Sequence, residues 1–227
     1  MIEMKQVFKK YPGGSKALQG LNVSIAQGEF VYVVGPSGAG KSTFIKMLYA
    51  EERASAGKVL VNQVDVTKLS ARKVPFLRRQ LGVVFQDYKL LPKKSVYENV
   101  AYALEVIEKD QKFIKQRVTE VLKLVGLATK AKRFPHELSG GEQQRVAIAR
   151  AIVNQPKIVI ADEPTGNLDP TTTWEVMKVL EAINAQGTTV IMATHNREVV
   201  DGMRHRVVRI EKGRIVSDRA GGDYDGY

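Results

Sequence analysis

Residues 35–43, GPSGAGKST, constrain this chain more than any other feature. They follow an apolar, β-branched run, FVYVV at 30–34, and precede a helical stretch at 44–50. Strand, glycine-rich loop and helix are the context in which G-x-x-x-x-G-K-[ST] cradles phosphate. The loop is Gly35, Pro36, Ser37, Gly38, Ala39 and Gly40. Its glycines free the backbone to turn N–H groups inward around an anion. Lys41 then sets a charge on the terminal phosphates, Ser42 offers its hydroxyl to Mg²⁺, and Thr43 stands where the helix begins, with the helix's positive end toward the phosphates. With glycine near 7% of residues, such a pattern arises by chance in roughly one chain in a hundred of this length.

The rest of the chain is consistent with an α/β protein. Further buried strands are expected at 83–85, 158–161 and 190–193, separated by helical patterns. Strands of this kind imply a largely parallel sheet covered on both faces. Weaker alternation, as at 58–61, points to a small antiparallel sheet near the N-terminus. From 95 to 154 the patterns are helical, with Ile114, Val118, Val121, Leu122 and Val125 on one face. This block interrupts the strand–helix alternation and reads as an inserted helical subdomain, roughly 87–154. The glycine-rich, acidic end at 220–227 is expected to fray. A length of 227 residues allows one such unit rather than two.

Two further motifs carry chemistry. KIVIADEP, at 157–164, is an apolar strand that ends in two acids. Beside a phosphate cradle, Asp162 would hold Mg²⁺ and Glu163 would act as general base on an attacking water. LSGGEQQR, at 138–145, opens a helix expected to run to about Asn154. Ser139 and Glu142 have capping-box spacing, and Gly140 and Gly141 leave N–H groups open at the positive end of that helix. This second anion site is most simply explained by a second copy of the chain, whose cap covers the γ-phosphate held by the first.

Composition narrows the setting. The chain has no cysteine, no apolar leader and no apolar run approaching the ~20 residues that span a bilayer, which fits a cytoplasmic protein. Its net charge of +11 is compatible with nucleic acid, an anionic membrane surface, or a solvated basic surface. The basic residues are dispersed and not interleaved with aromatics, so no nucleic acid partner is expected.

Together these motifs resemble the ABC ATPase family over nearly the whole chain, and LSGGEQQR is similar to the family's signature motif. The resemblance implies a RecA-like core, Mg²⁺-dependent hydrolysis of ATP, and a homodimer closing around two nucleotides. It assigns Gln86 to sensing nucleotide and Mg²⁺, His195 to the γ-phosphate, Tyr11 to the adenine ring, and Asp169, in the loop 166–169, to linking the two sites. His136 and His205 are read as ordinary polar residues. The runs at 84–103, 134–151, 161–169 and 192–196 resemble the cell-division branch of the family. That branch implies an FtsX-like transmembrane partner, other division proteins, control of wall hydrolases, and a place on the cytoplasmic face of the membrane. The alternative is the ATPase of a transporter or export pump. The segment 88–97, with Leu90 and Leu91 among lysines, is the expected docking surface for the membrane partner.

Overall fold

The structure is a computed structural model and describes residues 1–224. Two sheets are stacked. The first has four antiparallel strands in the order β2-β1-β4-β5, where β1 is Ile2–Lys10, β2 Lys16–Ile25, β4 Ala56–Val61 and β5 Val64–Asp65. The second has six strands in the order β10-β9-β3-β8-β7-β6. Here β3 is Phe30–Val34, β6 Leu81–Val84, β7 Ile158–Asp162, β8 Thr189–Ala193, β9 Arg206–Glu211 and β10 Arg214–Arg219. All neighbours in this sheet run parallel except β10, which returns antiparallel on β9.

The central strands read as continuous apolar runs because both faces are covered. Along β3, Phe30, Tyr32 and Val34 join one core cluster, while Val31 and Val33 join the other. The same alternation divides β7, with Val159 and Ala161 on one side and Ile158 and Ile160 on the other. Each fully buried aliphatic of this kind contributes about 1.5–3 kcal/mol. One face packs on the antiparallel sheet, on α1 (Lys41–Leu48) and on the short α2 (Val74–Arg78). The other packs on the helices that interrupt the sheet and on α6 (Pro170–Ala185).

Between β6 and β7 lie α3 (Val96–Glu105), α4 (Gln111–Leu124) and α5 (Gly140–Ile152), with no strand among them. Ile114, Val118, Val121 and Leu122 are buried along α4, and Val125 caps its C-terminus, also buried. Helix α3 starts on a complete capping box, Ser95 with Glu98. No helix among the described residues is long and apolar enough to cross a membrane.

Several boundaries differ from the sequence expectation. The strand placed at 83–85 is Leu81–Val84, so Phe85 belongs to the loop that follows. Helix α5 ends at Ile152 and α1 at Leu48, each two residues early. The hairpin β9–β10 was not foreseen. Arg206 and Arg209 share β9 with Val207, Val208 and Ile210, which are buried where this strand pairs with β3. Of the C-terminal residues, 220–224 fold back past β9, and 225–227 lie outside the described residues.

Candidate active site

In the order β3-β8-β7-β6, the loops that leave the C-terminal ends of these strands stand side by side. That edge is where open α/β sheets bind ligands. The order places Lys41 after β3, His195 after β8, Asp162 and Glu163 at the end of β7, and Gln86 after β6. A cleft of about 650 Å³ opens here, lined by Tyr11, the residues of the glycine loop, Glu163 and His195. A larger groove of about 740 Å³ lies beside Arg117, Lys157 and Gly187, at the opposite ends of the strands, and has neither a glycine loop nor a catalytic acid.

The glycine loop has the shape its sequence implies. Gly35 has φ 142°, and a Cβ there would meet the Ile210 carbonyl oxygen at 2.0 Å. Gly40, at φ 111°, is the N-cap of α1. Both positions exclude any other residue on steric grounds. Lys41 is buried, and its Nζ donates to the Gly35 oxygen at 2.8 Å and the Pro36 oxygen at 3.2 Å. Ser37, Gly38, Ser42 and Thr43 also line the cleft, while Ala39 is packed into the core beneath.

Glu163 is held in an uncommon geometry. Its backbone lies in the left-handed region, at φ 49°, which costs a residue with a side chain about 1–3 kcal/mol. The offsetting contacts are local. Its N–H donates to the Ala193 oxygen at 2.9 Å. Its Oε2 accepts from the His195 backbone N–H at 3.2 Å and lies 2.9 Å from His195 Nδ1. The bend aims the carboxylate into the cleft, with the imidazole beside it.

Asp162, one residue earlier, points elsewhere. Burial, and then the Glu163 charge, push its carboxyl above the usual carboxylate range, against a hydrogen bond from Ser42 and the charges of Lys46 and Lys41. Its Oδ1 is buried with no hydrogen-bond partner. A buried, unpartnered carboxylate oxygen next to a serine hydroxyl is a donor set that suits a hard divalent cation such as Mg²⁺. Gln86 and Asn167 share a smaller cleft with Asp162, so Gln86 stands on that side of the acids.

On the other side of the cleft, Tyr11 follows β1 directly. Its hydroxyl is 3.3 Å from Thr43 Oγ1, and Lys9 Nζ sits 4.8 Å from its ring centroid. The hairpin also brings in Ser15, Lys16 and Ala17. Sequence reasoning missed these three, because their motif-free turn is tied to the cradle only by tertiary packing.

The second motif folds as a cap. Ser139 accepts from the Glu142 N–H at 3.3 Å, and Glu142 reaches back to the Ser139 N–H at 3.1 Å and pairs with Lys130. Asp169 caps α6 by accepting from the Thr172 N–H at 3.0 Å. Thr172 in turn seals Gly141, where a Cβ would meet its Cγ2 at 1.9 Å. The cap and the loop 166–169 are therefore one packed unit. None of Ser139, Gly140, Gly141 and Glu142 lines the cleft of its own chain. His136 stacks on Phe134, and His205 stacks on Phe30 and bonds Glu181; neither lines the site.

The expected docking segment is only partly available. The Tyr88 and Lys89 carbonyls accept from Arg150, Asn99 bonds both the N–H and the carbonyl of Leu91, and Leu90 packs on the core. Beside it opens an apolar cleft of about 530 Å³, lined by Val83, Phe85, Tyr102, Val106, Ile107 and Arg79 among others. Tyr102 and Val106 are 42% and 52% exposed, which marks them rather than Leu90 as the available apolar surface.

Comparison with known proteins places this geometry. The ABC transporter family profile matches residues 18–166. The chain is 63% identical over 227 residues to the cell division ATP-binding protein FtsE of Bacillus subtilis strain 168, covering 100% of each. It is 46% identical over 215 residues to the protein of that name from Escherichia coli K12, covering 95% of this chain and 97% of that one. Among solved structures it is similar to a dimeric ATP-binding cassette in a post-hydrolysis state bound to ADP and Pi. The TM-score is 0.87 at 34% identity, covering 97% of this chain and 98% of that one.

Proposed function

Because the chain belongs to the ABC transporter family of ATPases, and to its FtsE cell-division branch, we propose that it is the ATP-driven motor of a membrane complex with an FtsX-like protein. ATP binds along the loop 35–43, with its adenine toward Tyr11 and its γ-phosphate toward Lys41 and His195. Ser42, Asp162 and Gln86 are the residues that would hold Mg²⁺, which supplies charge neutralisation at the phosphates. Glu163 takes the proton of the attacking water, and His195 fixes the carboxylate that does so.

The observation that carries the reading is the division of the site. The cradle and the base are in the cleft, and the Ser139–Gly141 cap of the same chain is not. A second copy supplies it, so each composite site is completed only when two chains close. Closure then couples nucleotide binding to a change of shape. Ser139→Arg should keep ATP affinity and lose hydrolysis. Mixed with Lys41→Ala chains it should recover activity, because one site of the heterodimer has intact parts from both chains. Failure of every mixture to recover activity would count against the shared site.

The apolar cleft beside α3 is where the membrane partner docks. Its wall runs from Phe85, the residue before Gln86, to helices α3 and α5 of the insertion, so it lies where the nucleotide state can be felt. Its aromatic and aliphatic wall with basic Arg79 and Arg150 at hand suits a short amphipathic helix from a protein embedded among anionic headgroups. In this reading the chain works at the cytoplasmic face of the membrane. Tyr102→Glu with Val106→Glu should give a folded ATP-binding protein that no longer sediments with FtsX-containing membranes. Unchanged sedimentation would remove this cleft from the interface.

A further inference from the structure

Residues 220–224 reach the active site by a path that no motif announces. After β10 the chain turns at Gly221, whose φ of 60° favours glycine, and Gly222 passes against Val207 with its Cβ position 3.3 Å from that side chain. The strand of residues thus runs back along β9, toward the end of the sheet that holds the cradle. Tyr224 is tied at both backbone atoms. Its N–H donates to Asp201 Oδ1 at 2.7 Å, and its carbonyl accepts from Arg209 Nη1 at 3.4 Å. Its side chain packs on the core cluster and lines the cleft that contains the glycine loop, Glu163 and His195.

Both anchors lead to the phosphate end of the cleft. Arg209 stands in register with Val34, the residue before Gly35. Asp201 lies on α7 (Arg197–Met203), the helix that begins two residues after His195 and is capped by Asn196. Tyr224 therefore bridges β9, which backs the glycine loop, and α7, whose N-cap directly follows the histidine that holds Glu163. Helix α7 is short, and Val199 and Val200 are its only buried residues. So short an element keeps its position by what is laid across it.

We propose that residues 220–224 form a strap, with Tyr224 as a positioning residue that fixes α7, and through it His195 and Glu163, against the glycine loop. The inference rests on the ATPase reading but concerns a part of the site outside its motifs. The strap acts on the reacting end and not on the adenine end near Tyr11, so its loss lowers turnover more than affinity.

The test uses the full-length chain beside a chain ending at Arg219, and the variants Tyr224→Ala, Tyr224→Phe and Asp201→Ala. Truncation, Tyr224→Ala and Asp201→Ala should each lower kcat about tenfold, within the range that misplacement of a catalytic group costs. KM for ATP should stay within about twofold, the signature of a contact felt in the transition state alone. Tyr224→Phe keeps the ring and both backbone bonds and should match the parent chain. Hydrogen exchange supplies a reading independent of turnover, with residues 195–203 exchanging faster in the truncated chain and in Tyr224→Ala. A parent chain that never hydrolyses ATP would remove the ATPase reading, while the exchange data would still decide the strap. Unchanged exchange at 195–203 overturns it. So does a rise in kcat on truncation, which would make the segment an obstruction.

Discussion

Glu163→Gln is expected to bind ATP and hydrolyse it roughly 10²–10⁴ times more slowly, the usual worth of a general base. The amide keeps the size of the carboxylate and can still accept from the His195 N–H, so the bent backbone at this position keeps its support. What it loses is the capacity to take a proton. It also removes one of two adjacent negative charges, the one that helps to push Asp162 upward. Closure of a second chain over the γ-phosphate therefore becomes easier, and the variant should run as a dimer on a sizing column with ATP and Mg²⁺. Single-turnover hydrolysis and elution volume are the measurements. A variant that stays monomeric at every ATP concentration would contradict the two-chain site, and one with near-normal turnover would remove Glu163 as the base.

Lys41→Ala should weaken ATP binding by roughly ten- to hundredfold, as loss of a charge-assisted hydrogen bond does, and take hydrolysis down with it. Lys41 is the cation within the glycine loop, and nothing else there can replace it at the terminal phosphates. Its ammonium also holds the Gly35 and Pro36 carbonyls, so the substitution loosens the loop itself. Calorimetric titration with ATP reads the affinity, and circular dichroism reports whether the fold survives. Near-normal affinity in a folded variant would sink the cradle assignment.

The sequence alone determined the parts of this protein whose chemistry is local. A phosphate cradle is built from consecutive residues, because backbone N–H groups can ring an anion only where glycines permit φ values such as those of Gly35 and Gly40. The acids at the end of β7 and the capping box at Ser139 are equally local. Resemblance added Gln86, His195, Tyr11 and Asp169, whose importance no local pattern announces. His195 by itself is an unremarkable polar residue. It gains meaning because β8 lies between β3 and β7, which brings it within 2.9 Å of Glu163.

Other features belong to tertiary structure alone. Strand β9 mixes arginines and valines in one short run, so no alternation marks which of them lie inside. Only pairing with β3 shows which of them are buried. The expected docking segment 88–97 carries leucines that the core partly claims, since Arg150 and Asn99 fix its backbone from other elements. The apolar surface left over is assembled from β6, α3 and α5, separate elements that only the fold brings to one wall. Likewise the stretch 220–224 has no local reason to take a fixed path. Its path to the active site depends on Asp201 and Arg209, which belong to different elements and meet Tyr224 only after the sheet has formed. Contacts of this kind carry no periodicity and no motif, because their partners are chosen by topology rather than by neighbours in the chain.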